Sequence, residues 1–193
     1  HLLVALVAAQ RFGARDLRYA TTLNELGLAY FRLGEFGRAE PLHQQALSIR
    51  QQVLPAGDPE IASSLNDLGF LRVAQGRYAE AEALYNQSLK MRETALGPRH
   101  PDVAETLNNM GSLYADTARV ADAETAYKRA IAIIEAAHGP RHPYLAAALN
   151  NLATLYTQYG RQQEAQPLFD RATQAAGGTL APNHPQVLAG DNN

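Results

Sequence analysis

The stretch ALNNLATLY, residues 148–156, decides how this chain is read, because it has three relatives upstream: TLNELGLAY (22–30), SLNDLGFLR (64–72) and TLNNMGSLY (106–114). Each Leu-Asn pair lies 42 residues from the next: Leu23-Asn24, Leu65-Asn66, Leu107-Asn108 and Leu149-Asn150. A fixed period in this range is the mark of a stacked-repeat protein. Other columns keep the same register without an insertion. Gly27, Gly69 and Gly111 recur, with Ala153 in the fourth unit, and Gly34, Gly76 and Gly160 recur, with Ala118 in the third. Ala39, Ala81, Ala123 and Ala165 form an unbroken column, as do Pro59, Pro101, Pro143 and Pro185.

Each unit reads as two helices. The first begins after the proline, whose fixed φ suits a helix N-terminus. In the third unit Val103, Leu107, Met110, Gly111 and Tyr114 fall on one helical face. The glycine column near residue 118 marks the end of that helix. The second helix, about Val120 to Ala137, carries Ala123, Tyr127, Ala130, Ile131 and Ile134 on its inner stripe. Small residues at Gly111, Ala123 and Ala130 let the two backbones approach, with Tyr127 filling the space beside them. The loop GPRHP (139–143) then turns the chain into the next unit. Four full units span 17–58, 59–100, 101–142 and 143–184. Residues 1–16 read as the second helix of a preceding unit and 185–193 as the truncated start of a fifth. The apolar run Leu2–Ala9 is too short to span a bilayer, and its alternative reading is the tail of a secretory signal.

Composition narrows the classes. Of 193 residues, 46% are hydrophobic and 19% charged, as in a folded globular chain. A net charge of −2 without basic clusters argues against nucleic-acid binding. There is no cysteine, which excludes disulfides and thiolate metal sites and leaves the redox compartment open. Arginine outnumbers lysine, with only Lys90 and Lys128 present, a weak sign of a bacterial source. His100, His142 and His184 stand one per unit, in a column continued by Asp58 and Asp16. Successive units lie on the order of 10 Å apart, too far for one zinc ion with ligands at about 2 Å. The expectation is a structural role before proline, with no metal and no cofactor. No H-E-x-x-H, P-loop or G-x-S-x-G motif occurs, and Glu80, Glu82 and Glu124 read as solvated helix faces. An enzyme is not expected.

The junctions ALGPRHPDVAETLNNMGSLY from Ala95 and AHGPRHPYLAAALNNLATLY from Ala137 resemble the tetratricopeptide repeat, in the 42-residue form of kinesin light chains and related bacterial proteins. The resemblance covers nearly the whole chain. It implies an all-α fold, a right-handed α-solenoid of stacked antiparallel helix pairs whose first helices line a concave groove.

On those first helices, the face opposite the buried stripe carries the candidate binding residues. They are Asn24 and Glu25 in the first unit, and Asn66, Asp67 and Phe70 in the second. The third contributes Glu105, Asn108, Asn109, Ser112 and Asp116, and the fourth Asn150, Asn151, Thr154 and Gln158. An amide offers both donor and acceptor, matching the backbone of an extended segment. The alternative for Asn24, Asn66, Asn108 and Asn150 is that they bond to neighbouring helices and stabilise the stack. In peptide-binding members of the family the second position of each pair holds the ligand-contacting asparagine. Asn109 and Asn151 match it; Glu25 and Asp67 do not. Kinesin light chains take acidic, tryptophan-containing peptides with basic groove residues, which are missing here. The groove is acidic instead, through Glu25, Asp67, Glu105 and Asp116, with apolar surface from Phe31, Phe70 and Val73. This predicts a ligand segment with basic and apolar residues.

The expected function is a non-catalytic protein–protein interaction scaffold binding an extended peptide or protein segment. The alternative is a regulatory or sensor module of a larger signalling protein, contacting its own neighbouring domains. Neither nucleic acid nor membrane is an expected partner, self-association through the Leu2–Val7 strip is an expectation, and the expected compartment is cytoplasmic. Arg72, on the buried face where Tyr30, Tyr114 and Tyr156 stand in other units, must find a carboxylate or reach out to solvent, with Asp67 and Glu40 as candidates.

Overall fold

The computed structural model describes residues 15–177. The Leu2–Val7 strip, His184, Pro185 and the unit expected to start at 185 lie outside the described residues, as does the helix expected over 1–16 apart from Arg15 and Asp16. Among the described residues there are eight helices and no strand: α1 (Leu17–Arg32), α2 (Phe36–Val53), α3 (Pro59–Ala74), α4 (Tyr78–Leu96), α5 (Pro101–Asp116), α6 (Val120–His138), α7 (Pro143–Gln158) and α8 (Gln162–Ala175). This is an all-α repeat fold. No described helix is long and apolar enough to cross a membrane.

The odd-numbered helices start with a side-chain cap. Asp16 and Asp58 accept from the backbone N–H of Arg18 and Glu60 at 2.8 and 2.9 Å. His100 and His142 do the same through Nδ1, for the N–H groups of Asp102 and Tyr144, at 3.2 and 3.3 Å. The column of Asp and His before each first helix is therefore a column of N-caps, satisfying a donor that the helix cannot satisfy itself. Among the described residues its members act one per helix.

Each first helix ends in a tight turn into the second. Gly34, Gly76 and Gly160 take positive φ there, at 74°, 71° and 73°, and Ala118 takes 58°, a left-handed conformation costly for a residue with a Cβ. The next N–H then bonds back five residues, as from Arg119 to Tyr114 O and from Arg161 to Tyr156 O, both at 2.8 Å. This closes the first helix, and the second starts without a side-chain cap.

Within a pair, a ring on the second helix lies against the glycine of the first. A Cβ added to Gly27, Gly69 or Gly111 would come within 2.7, 2.7 or 2.6 Å of His43, Tyr85 or Tyr127. Ala123 and Ala130 are fully buried beside Tyr127. In these three pairs the helices touch backbone to ring, and only glycine leaves the room.

The chain divides between Pro98 and Arg99 into two compact units. In the first unit α2 packs against α1 and α3, and α3 against α4; in the second, α6 packs against α5 and α7, α7 against α8, and α5 touches α7. Their interiors differ in chemistry. The first unit buries His43, Arg50, Ser64, Asn66, Arg72, Ser88 and Arg92, whereas the second, among the described residues, buries only Thr106 as a polar side chain. Ile134 stands in the column of Arg50 and Arg92, and Ala148 in the column of Ser64.

Arg72 is held by Glu40, with Nη2 to Oε1 at 2.7 Å, and its Nη1 donates to Gln75 at 2.9 Å. Glu80 lies 3.4 Å from its Nε. Of the two candidate partners, Glu40 is the one used. Elsewhere this column holds a tyrosine with an arginine over its ring, as in Arg119 on Tyr114 and Arg161 on Tyr156, at 4.2 and 3.9 Å. At Arg72 the ring is replaced by a second cation beside Arg77, and Glu40 and Glu80 offset both charges. Glu80 and Glu124 are therefore not simple solvated faces. Glu124 accepts from Arg161 Nη1, Lys128 Nζ and Tyr156 Oη at 2.7, 2.5 and 2.8 Å. Those bonds, the Arg161 contact foremost, hold its carboxyl down to about 2.

Candidate functional site

Two of the asparagines beside a leucine, Asn24 and Asn108, have a partner 43 residues along the chain. In the first unit Asn24 Nδ2 donates to Asp67 Oδ2 at 2.8 Å, joining α1 to α3. In the second, Asn151 Nδ2 donates to Asn108 Oδ1 at 3.0 Å, joining α7 to α5. Each bridge links the first position of one Leu-Asn motif to the second position of the next. Asn24, Asn108 and Asn151 thus act in the stack, the alternative raised for the first-position asparagines. Asn66 is buried, at 2% exposure, and offers no face to a ligand.

The first unit's bridge is the centre of a polar interior that the sequence did not suggest. Asn24 gives its Nδ2 to Asp67, so its Oδ1 is an acceptor and His43 Nδ1, 2.8 Å away, carries the proton. His43 Nε2 then faces the backbone of α1 at Gly27. Burial pushes the His43 imidazole down to about 4, and the Arg50 charge acts in the same direction. Burial raises the Asp67 carboxyl, opposed by the Asn24 bond and by the charges of Arg50 and Arg92. Arg50 bonds Ser64 Oγ at 2.5 Å and pairs with Glu60 at 3.0 Å, while Arg92 donates to Ser63 Oγ at 3.1 Å. Basic residues missing from the first-helix face are thus present on second helices, inside.

At the surface of this unit Glu25 is exposed, and Phe70 is exposed by 44%. The Phe70 ring lies against Phe31, with centroids 4.8 Å apart, and Phe31 against Phe36 at 5.3 Å. These rings form a small apolar platform between α1 and α3. Glu25 and Phe70 are therefore available to a ligand; Asp67 is engaged in its bridge.

In the second unit most of the candidate residues come together in a cleft between α5 and α7. The Asn151–Asn108 bond crosses it and leaves a cavity on each side. Toward the helix C-termini a cavity of about 450 Å³ is bordered by Ser112, Asp116, Asn151, Thr154 and Gln158, with Tyr127 behind them. Tyr127 Oη donates to Ser112 Oγ at 3.0 Å. Toward the N-termini a cavity of about 290 Å³ is bordered by Asp102, Glu105 and Asn108 on α5 and by Tyr144 and Ala147 on α7. Pro101, Ala104, Ile134 and His138 complete its wall. Asn109 and Asn150 border neither cavity. Tyr144, His138 and Ile134 were missed from sequence. The available signal was Tyr144 itself, an aromatic in a column otherwise holding Arg18, Glu60 and Asp102.

Among the described residues no group of three or more His, Asp or Glu side chains is placed to hold a metal ion. The polar contacts pair side chains with one another or with helix ends.

Sequence profiles of the tetratricopeptide repeat match residues 20–60, 60–136 and 102–177. No curated protein matches the sequence. Among solved structures, the chain is similar to BtubC (BKLC) from P. vanneervenii, at 23% identity and a TM-score of 0.80, covering 92% of this chain and 72% of that one. It is also similar to a putative kinesin light chain with nearly identical TPR-like repeats from Podosopora anserina, at 25% identity and a TM-score of 0.72, covering 92% and 82%. Aspartyl phosphate phosphatase F from Bacillus subtilis shares the fold at 17% identity and a TM-score of 0.73, over 83% of this chain and 41% of that one.

Proposed function

We propose that this chain, which belongs to the tetratricopeptide repeat family, holds an extended peptide or protein segment in the cleft between α5 and α7. Repeats of this family generally mediate protein–protein interaction and are typically non-catalytic scaffolds. The observation that carries the finer reading is the cleft itself. Two cavities flank one amide bridge, and the larger is edged by hydroxyl, amide and carboxylate groups from two helices. Side chains of this kind bond a peptide backbone's N–H and C=O groups without demanding particular residues. Specificity then comes from the smaller, more apolar cavity and from the acidic balance of Asp102, Glu105 and Asp116. A segment carrying basic and apolar residues is the complementary ligand.

Selection from a random peptide display library tests this, with an Asp116→Ala/Gln158→Ala double variant as control. Both side chains are exposed and border the larger cavity, so the variant should keep its melting temperature. Enrichment of one motif, lost in the variant, is the expected result. Enrichment indifferent to the variant, or none at all, would remove the cleft as the binding surface. Asn151→Ala is the poorer probe, since it also breaks the bridge to Asn108.

A further inference from the structure

The larger cavity between α5 and α7 has spent its hydroxyl donors and kept its strongest acceptors. Tyr127 Oη donates to Ser112 Oγ at 3.0 Å, and Ser112 Oγ donates in turn to the Asn108 carbonyl at 3.3 Å. Asn151 gives an Nδ2 proton to Asn108 Oδ1, and its own Oδ1 has no donor among the described residues. Asp116, on the opposite helix, accepts no hydrogen bond and pairs with no cation among them. No lysine or arginine borders the space. The exposed Gln158 amide completes the edge with an oxygen that is also unclaimed.

The carboxylate of Asp116 does nothing for its own helix. It stands on the last residue of α5, the negative end of the helix dipole, where an anion costs stability. Its column holds Arg32, Ala74 and Gln158 in the other units, and the last turn of α5 has no basic residue to offset it. Burial pushes the Tyr127 phenol up, the Ser112 bond opposes this, and the Asp116 charge adds to the rise. The carboxylate is therefore felt inside the cavity.

We propose that this cavity seats the guanidinium of one arginine of the bound segment; this rests on the segment-binding reading above and names a residue the segment must carry. A guanidinium is all donor, planar and forked, and suits the Asp116 carboxylate edge-on. Its remaining N–H groups match Asn151 Oδ1 and the Gln158 amide oxygen on α7, so one group spans both helices. A lysine ammonium carries the charge without the fork. An acidic side chain would meet a like charge and further acceptors, which sets the selectivity.

The probe is acetyl-Gly-Arg-Gly-amide, with citrulline, lysine and glutamate counterparts, titrated into the isotope-labelled chain. The readout is the backbone amide shifts of Ala115, Asp116, Thr154 and Gln158, which border the cavity. The arginine peptide should give saturable shifts, with roughly fivefold weaker binding for its neutral analogue citrulline, the order of one screened charge contact. Lysine should fall between the two, and glutamate should shift nothing. Asp116→Asn should bring arginine down to the citrulline level while the melting temperature holds or rises, since the helix loses an unfavourable charge. Equal binding of arginine and citrulline would overturn the cationic seat, and lysine equal to arginine would overturn the fork. Silence of these four amides with every peptide would overturn the pocket. If display selection returns a motif that depends on Asp116 and Gln158 but lacks arginine, segment binding stands and only the seat falls. If neither experiment responds, both are wrong.

Discussion

Gly111 and Tyr127 show how much rests on a single missing methyl. The Tyr127 ring lies where a Cβ on residue 111 would need to be, with two ring carbons at 2.6 Å from it. Gly111→Ala should therefore destabilise the chain by about 2 kcal/mol, the usual cost of overpacking a well-filled interior. Gly37→Ala is the control: it is also helical, but a Cβ there meets nothing within 4 Å. That change should be neutral or slightly stabilising, since alanine favours a helix over glycine. Urea unfolding of both variants checks the contrast; equal effects would mean that the ring can move aside. The glycine column was visible in the sequence as a close-packing position. Which ring fills each gap was visible only in part, because the first unit uses His43 in place of a tyrosine. The sequence also offers no sign that the histidine's Nδ1 is committed to Asn24.

At the scale of the helix, the caps and the Tyr–Arg stacks explain why some columns vary and others do not. Asp and His interchange before the first helices because either can accept the same N–H. The sequence showed the column but not its bonds. Arg72 was legible as an anomaly, yet its partner was not, because Glu40 lies on a different helix, 32 residues earlier. The arginine is nearly buried, at 7% side-chain exposure, so Glu40→Gln leaves most of a guanidinium charge without its best partner. The expected loss is about 2 kcal/mol by urea unfolding. Arg72→Tyr, which recreates the ring-and-arginine stack of the other pairs, should cost less. A Glu40→Gln variant as stable as the parent would mean that Arg72 is satisfied by Gln75 and Glu80 alone.

Across the whole molecule the two units should answer acid differently. His43 is neutral in the fold, with its imidazole pushed to about 4 from an ordinary 6.5. The unfolded chain therefore binds this proton first, and the first unit's stability is full above about pH 6.5 and falls as pH drops toward about 4. The loss from this group reaches up to about 3 kcal/mol. The raised Asp67 carboxyl acts in the opposite sense, since its folded form prefers to be protonated and gains as pH falls. His43→Phe, which copies Phe169 of the same column, should flatten the slope between those two pH values. It should also lower stability at neutral pH, where Asn24 loses a donor. Denaturant midpoints measured across pH, for parent and variant, test the sign; an unchanged slope would place the acid sensitivity elsewhere. The repeat, the helix pairing and much of the α5–α7 cleft could be read from columns. The cavities could not, because Tyr144, Ile134 and Glu105 occupy different columns and meet only when α5, α6 and α7 pack.

The amide bridges carry one more consequence. Their partners are 43 residues apart in a sequence that repeats every 42, so each bridge joins one motif's first position to the next motif's second. Such a ladder counts in whole units. Removing residues 59–100 would offer Asn24 the side chain of Asn109 in place of Asp67, an amide for a carboxylate, as Asn108 already receives Asn151. An excision one residue longer would bring Met110 to that position, and one residue shorter would bring Asn108, the first position of the motif in place of the second. A gene encoding this chain is thereby free to gain or lose length by recombination, but only in steps of the full repeat.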